Sequence, residues 1–371
     1  MDDEVRATGL DPAPDRERSR RGRRSPYRHP RQDRPSGGHG GGLDLSGPTY
    51  AALDLGTNNC RLLVARATSD SFRVVDAFSR IIRLGEGITN SGLLGEAAIL
   101  RAVDALRVCR AKMRNRGVTR SRLIATEACR AASNGLDFLD RIRKEVGIEL
   151  EIVDRETEAR LAATGCTPLI DPEADGVILF DIGGGSSELV RLGRGAKSRQ
   201  GPPRPEINAW TSIPIGVVTL AERYGGVTVS RETFEAMIAE VAVHVDRFAE
   251  HHGGTAGLHM LGTSGTVTTI AGVYLELPRY ERRRVDGCWM SDQQVTDVVE
   301  RLLAMDFDSR AANPCIGAER ADLVLAGCAI LEAIRRAFPC PRLRVADRGL
   351  REGMLVQMMR EDGVWGSEVQ P

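Results

Sequence analysis

The stretch Asp181-Ile182-Gly183-Gly184-Gly185-Ser186-Ser187-Glu188 sets acid, bare backbone, hydroxyl and acid side by side. A carboxylate at the end of the apolar run Val177-Ile178-Leu179-Phe180 is costly to bury unless a partner compensates it. Three consecutive glycines remove every side chain that could hold a ligand off the main chain. Their exposed N–H groups can form a nest for an anion. Together these groups meet the needs of a phosphate accompanied by a divalent metal. The plainer reading of a lone Gly-Gly-Gly is a hairpin turn with an incidental Asp before it. A second loop of similar design weighs against that reading. Asp54 ends an earlier apolar run, Gly56 permits a turn, Thr57, Asn58 and Asn59 supply polar groups at its tip, and Arg61 opens the return. A third Gly/Ser/Thr loop, Gly262-Thr263-Ser264-Gly265, precedes a helical pattern and suits phosphate at a helix N-terminus, although ordinary capping explains it equally well.

Other candidate residues lie at strand-to-helix junctions. Arg130 follows the apolar segment 121–126, where ligands gather in α/β folds; a surface ion pair is the plainer reading. Glu156 and Glu158 fall in the first turn of a helix opening at Asp154. Capping and the helix dipole account for acids there, and a general base pointing into a cleft is the sharper reading. The histidines His244, His251, His252 and His259 lack metal-ligand spacing.

The elements that must position these residues read as alternating strands and helices. Residues 49–65 predict strand, tight turn and strand, and segments 72–75 and 80–84 continue the sheet. A helix is expected from Glu96 to about Asn115, a strand over 148–153, and within 316–337 a long, mostly apolar helix starting around Glu319–Asp322. Residues 196–206 read as a hairpin tip. The domain boundaries are placed at 48–155 and 156–349, with a last helix, 350–371, returning to complete the first domain. Residues 1–47, rich in Arg, Pro, Asp and Gly, predict a disordered basic tail; a polyanion tether or an over-extended start are the alternatives.

The chain has 371 residues, 51 Lys plus Arg against 51 Asp plus Glu, and 42% hydrophobic residues. Two domains with real cores fit that length. A net charge of zero gives no global pull towards nucleic acid or membrane. No apolar run approaches the ~20 residues of a membrane helix, and a cytoplasmic location is expected. None of the eight cysteines forms a Cys-x-x-Cys pair, so reduced, mostly buried thiols are expected.

Taken together, Asp54–Arg61, Arg83–Gly87, Ala125–Arg130, Glu158–Arg160, Asp181–Glu188, Pro214–Gly216, Gly262–Thr266, Glu319–Asp322 and Gly349–Gly353 resemble, in order, the motifs of the exopolyphosphatase / guanosine pentaphosphate phosphohydrolase (Ppx/GppA) family. The resemblance implies an α/β chain of two RNase H-like domains, of the actin / heat-shock chaperone / sugar-kinase superfamily, with an interdomain active-site cleft. It implies Mg²⁺-dependent release of the terminal phosphate of inorganic polyphosphate. The alternatives are 5′-phosphohydrolysis of guanosine pentaphosphate (pppGpp) and a catalytically silent sensor on the same fold. On this pattern Glu158 is the general base and Arg130 neutralises charge on the transferring group. Asp181, Glu188 and Asp54 face the metal. Thr57–Asn59, Arg61, Gly183–Ser186 and Gly262–Gly265 hold phosphoryl oxygens. A homodimer is an option the family suggests. Longer members carry a further C-terminal domain, and a form without it is expected to prefer shorter polymers.

Overall fold

A computed structural model describes residues 47–194 and 201–366. Apart from Gly47, the tail assigned to 1–47 lies outside the described residues, as do 195–200 of the hairpin tip and 367–371 of the last helix.

Two sheets carry the fold. The first is built from β1 (Thr49–Leu55), β2 (Asn59–Ala67), β3 (Phe72–Ile81), β4 (Arg120–Ala125) and β5 (Glu151–Ile152), in the order β3-β2-β1-β4-β5. The second contains β6 (Gly176–Ile182), β7 (Ser187–Gly193), β8 (Ile207–Ile213), β9 (Leu258–Thr263), β10 (Trp289–Ser291) and β11 (Arg342–Ala346), in the order β10-β11-β9-β6-β7-β8. Each sheet joins an antiparallel meander to parallel strands: β1 pairs antiparallel with β2 and parallel with β4, and β6 pairs antiparallel with β7 and parallel with β9. Read from β8, the order β8-β7-β6-β9-β11 repeats the first sheet, and β10 adds an edge. The chain therefore has two RNase H-like halves of one design. The central strands β1 and β6 are buried along nearly their whole length, as expected where helices cover both faces.

Helices form where apolar residues recur at helical spacing. In Glu96–Asn115 the side chains of Ile99, Ala102, Val103, Leu106 and Cys109 are buried on one face. Asp154 caps Arg155–Cys166 by accepting the Thr157 N–H at 2.7 Å, and Ser230 caps Arg231–His252 through the Thr233 N–H at 3.0 Å.

Three expected elements differ. The strand over 148–153 shrinks to the two residues of β5, because only Ile124 and Ala125 of β4 offer it partners. Segments 72–75 and 80–84 belong to one strand ending at Ile81; residues 82–84 leave the sheet, and the Ile82 and Arg83 N–H groups bond the Asn58 carbonyl instead. The helix expected to start around Glu319–Asp322 begins only at Val324; residues 318–323 form turns.

The helix Leu350–Glu361 returns to the first sheet, where Met354, Leu355, Met358 and Met359 pack with Tyr50, Ala52, Leu63 and Ile124. It also crosses the helix Arg155–Cys166 at very short range. A Cβ on Gly353 would lie 2.0 Å from the Leu161 carbonyl oxygen, and one on Gly165 would lie 2.0 Å from that of Gly349. Only a missing side chain permits the contact, since backbone cannot step aside as a flexible side chain can. Gly353→Ala is expected to cost about 1–3 kcal/mol of stability by overpacking. Gly254→Ala, at a site with nothing within 4 Å, should stay within roughly 0.5 kcal/mol. Urea midpoints of the two variants check the difference; equal midpoints would refute the packing argument.

Candidate active site

In open α/β sheets, ligands gather beyond the carboxyl ends of the parallel strands. Here the residues that follow β1, β4, β6, β9 and β11 converge on one cleft. It is lined by Asp54, Thr57–Asn59, Arg61, Glu127, Glu158, Asp181, Gly183–Ser186, Glu188, Thr263–Gly265 and Asp347–Glu352, among others.

Two hairpins of matching construction face each other across it. Asp54 sits opposite Arg61 in the β1–β2 register, and Asp181 sits opposite Glu188 in the β6–β7 register. Directly paired residues share a sheet face, so each hairpin directs two charged side chains to one side. The turns close alike, with Gly56 N–H donating to the Asn59 carbonyl at 2.8 Å and Gly183 N–H to that of Ser186 at 2.9 Å. The tips meet at Thr57. A Cβ on Gly184 would lie 2.8 Å from the Thr57 Cβ, and one on Gly185 would lie 2.9 Å from the Thr57 Oγ1. Behind the second hairpin, the first N–H groups of the helix Val217–Tyr224 hold the Gly183 and Gly184 carbonyls at 3.0 and 2.9 Å. The carbonyls are thereby turned away, while the Gly184 and Gly185 N–H groups donate to no carbonyl among the described residues. The Asn58 and Asn59 side-chain oxygens are buried without a hydrogen-bond partner.

Carboxylates dominate the floor. Glu188 accepts hydrogen bonds from Ser186 Oγ at 2.8 Å and Ser212 Oγ at 2.9 Å. Burial, then the charge of Asp181, still pushes it up to about 7. Burial, then the charge of Glu158, raises Asp181 to about 7. Glu158 is raised to about 8 by burial and by Glu188, against the pull of Arg130. Asp54 is also raised by burial, with Arg61 and Arg351 acting in the opposite direction. Each acid is thus shifted upward by low polarity and by neighbouring negative charge.

Most expected site residues meet here, and two do not. The Arg130 guanidinium is not part of the cleft wall. It donates to Glu127 Oε2 from Nε at 3.0 Å and from Nη2 at 2.6 Å, to Glu158 Oε2 at 3.1 Å, and to the Val153 carbonyl. The guanidinium is thus engaged by two carboxylates and a carbonyl, and it touches the cleft through Glu158. Gly262 is likewise displaced. It lies inside β9 opposite Phe180, and a Cβ there would sit 2.5 Å from the Phe180 ring; its role is to clear that ring. Glu158, not Glu156, points into the cleft, since Glu156 pairs with Arg160 on the surface at 2.6 Å.

Sequence reasoning assigned no part to Glu127, Arg320, Asp347, Arg348, Arg351 or Glu352, all of which line the cleft. Arg351 and Glu352 lie in the Gly349–Gly353 motif, so the signal was on the page but its direction was not. Arg155 fixes the far side of Glu127 with a hydrogen bond of 2.9 Å.

Among the described residues no three His, Cys, Asp or Glu side chains converge as a metal shell. Asp54, Asp181 and Glu188 line one cleft without being drawn together as a preformed three-ligand shell. The cleft fits Mg²⁺ in another way. Mg²⁺ takes one or two carboxylates and completes its shell with water and substrate phosphate, and Asp181 and Glu188 are paired hard donors suited to that. No helix among the described residues is long and apolar enough to cross a membrane.

Residues 63–362 match the Ppx/GppA phosphatase family. A guanosine-5′-triphosphate,3′-diphosphate pyrophosphatase of Photobacterium profundum is 28% identical over 84% of this chain, which spans about three-fifths (59%) of that relative's length. Among solved structures, the Ppx/GppA family member of Aquifex aeolicus superposes with a TM-score of 0.71 at 26% identity, covering 85% of this chain and 98% of the other. An exopolyphosphatase of Cytophaga hutchinsonii superposes with a TM-score of 0.76 at 26% identity, covering 86% and 100%. With the twin hairpins, the carboxylate floor and the family match in hand, this chain belongs to the Ppx/GppA phosphatase family.

Proposed function

We propose that the chain hydrolyses the terminal phosphoanhydride of a polyphosphorylated substrate, with pppGpp as the first reading. The observation that carries the reaction class is the cleft itself, crowded with carboxylates, in which Gly184 and Gly185, their N–H groups unengaged, lie against Thr57. The substrate reading is supported by the name of the Photobacterium relative. It is also supported by Val217, Leu323 and Val324, which line part of the same cleft and can accept the apolar face of a base. Inorganic polyphosphate has no apolar part to use them. It is the second reading, supported by coverage of the whole Cytophaga exopolyphosphatase chain.

In this reading the Gly184 and Gly185 N–H groups and the Thr57–Asn59 loop hold the phosphoryl oxygens. Glu158 accepts a proton from the water whose oxygen attacks phosphorus. The bond from phosphorus to the bridging oxygen breaks, and orthophosphate leaves with a substrate one phosphate shorter. Arg130 and Glu127 orient Glu158. Asp181 and Glu188 would hold Mg²⁺, which would supply positive charge against the phosphate oxygens. Little covalent help is needed, so positioning and electrostatics carry the rate.

Parallel phosphate-release assays on pppGpp, long-chain polyphosphate and ATP test the reading. Faster release from pppGpp is expected, and release from polyphosphate alone would transfer the assignment to the second reading. Glu158→Gln should lower kcat by about 10²–10⁴-fold, the range for loss of a general base, with Glu156→Gln close to wild type. Chelation by EDTA should abolish release and Mg²⁺ restore it; activity that survives EDTA would remove the metal role of Asp181 and Glu188. The raised carboxylates also carry a stability signature. Glu158, Asp181 and Glu188 bind protons more tightly folded than unfolded. Their contribution is therefore most favourable below the unfolded carboxylate range and is lost as pH rises through about 7–8. The melting temperature of metal-free protein should fall between about pH 5 and pH 8, and Mg²⁺ should flatten that fall. A melting temperature that rises across this interval would contradict the buried cluster.

A further inference from the structure

The loop after β3 joins the two halves beside the cleft. On one side Arg83 makes a forked ion pair with Asp322, Nη1 to Oδ2 at 2.9 Å and Nη2 to Oδ1 at 3.0 Å, and Nη2 also reaches the Glu319 carbonyl at 3.1 Å. Four residues on, the Gly87 N–H donates to Glu222 Oε1 at 2.8 Å. Asp322 lies in the turn before the helix Val324–Ala337 and Glu222 lies on the helix Val217–Tyr224, so both acids belong to the second half.

On its other side the same loop carries the first hairpin. The Ile82 and Arg83 N–H groups donate to the Asn58 carbonyl at 2.8 and 3.1 Å, and the Gly85 N–H donates to the Thr57 carbonyl at 2.9 Å. A Cβ on Gly85 would lie 2.2 Å from the Thr57 Cγ2, so the loop lies flush against the threonine that meets Gly184. Arg83 holds this place in a left-handed backbone conformation, φ 45°, which a non-glycine residue keeps only where its surroundings enforce it. The Arg83 and Asp322 side chains are 33% and 26% exposed, open enough for water to compete for the pair. A contact that is geometrically specific but exchangeable can close and reopen.

We propose that Arg83 and Asp322 form an interdomain latch that sets the position of Thr57 and Asn58 over the Gly183–Gly185 loop and so closes the cleft on the terminal phosphate. The proposal deepens the hydrolase reading and rests on it for its kinetic consequences only. Arg83 and Asp322 are positioning residues: they act through the loop and touch no reacting atom.

The test compares Arg83→Gln, Asp322→Asn, the double variant and Arg83→Lys. Two readouts are used, phosphate release on the best substrate and small-angle scattering of the substrate-free protein. Each single change should lower kcat/KM roughly tenfold, a size typical of coupled contacting residues, chiefly through KM, and should enlarge the radius of gyration at unchanged melting temperature. The double variant should be no worse than either single one. Arg83→Lys, which keeps the charge and loses the fork, should fall between. Additive losses in the double variant, or singles with wild-type KM and wild-type scattering, overturn the latch. If no phosphoanhydride is hydrolysed by the wild type, the hydrolase reading fails and scattering alone decides: a larger Arg83→Gln particle supports the latch and an unchanged one refutes it. Should Arg83→Gln fail to fold, Asp322→Asn carries both readouts.

Discussion

Repulsion among buried carboxylates is the constraint around which the site is organised. Asp54, Glu158, Asp181 and Glu188 face one cleft, and burial raises the proton affinity of each. An arrangement of this kind costs stability in the empty protein and becomes favourable when positive charge enters. The fold supplies part of that charge at the margins. Arg130 holds Glu158 from behind, and Arg61 and Arg351 draw on Asp54 and Asp181 from the floor. The remainder suits a divalent cation accompanied by a phosphate. A site strained in this way is tuned for binding rather than for the stability of the unliganded chain.

Clearance is the second constraint. Gly184 and Gly185 tolerate no Cβ because Thr57 of the other half is already there, and Gly216 tolerates none because the Gly184 carbonyl carbon would lie 2.3 Å away. Close approach from both sides leaves the Gly184 and Gly185 N–H groups as unengaged backbone donors at the tip of the second hairpin. They are rigid donors, since helix N-terminal amides hold the carbonyls of the same loop. The crossing of Gly165 and Gly353 repeats the principle at the joint between the halves, where two helices meet backbone to backbone. The helix that carries Glu158 and the helix that begins beside Arg351 are thus fixed to each other, and the joint sets where the Glu158 carboxylate stands relative to the floor.

Duplication explains why one cleft can be made from two similar sheets. Each half carries an acid at the penultimate position of its first strand and turns through a glycine, yet the second residue of each facing pair differs: Arg61 in one hairpin and Glu188 in the other. One hairpin therefore offers a cation and the other a second carboxylate. On the proposed reading, the same scaffold would hold phosphate oxygens from one side and a metal on the other.

Much of this was legible in the residue order. Acid at the end of an apolar run, glycine turn and polar tip are local patterns, and strand pairing makes them hairpins wherever they occur. Glu158 was narrowed to one of two acids in a helical first turn, but helical phase relative to the rest of the molecule was needed to separate it from Glu156. Arg130 shows the limit: its junction position was readable, while the choice between a phosphate and two carboxylates depends on Glu127 and Glu158 being brought to it by separate elements. Gly262 shows the same limit in reverse, since a Gly/Thr/Ser loop reads alike whether it faces a ligand or a phenyl ring in the neighbouring strand. The Arg83–Asp322 pair, 239 residues apart in the chain, has no local signature at all. Turn chemistry and periodicity act over a few residues and belong to the sequence by itself; the facing of charges across the cleft is decided only when the two halves close on each other, because Coulomb and steric contacts depend on distance in space and not along the chain.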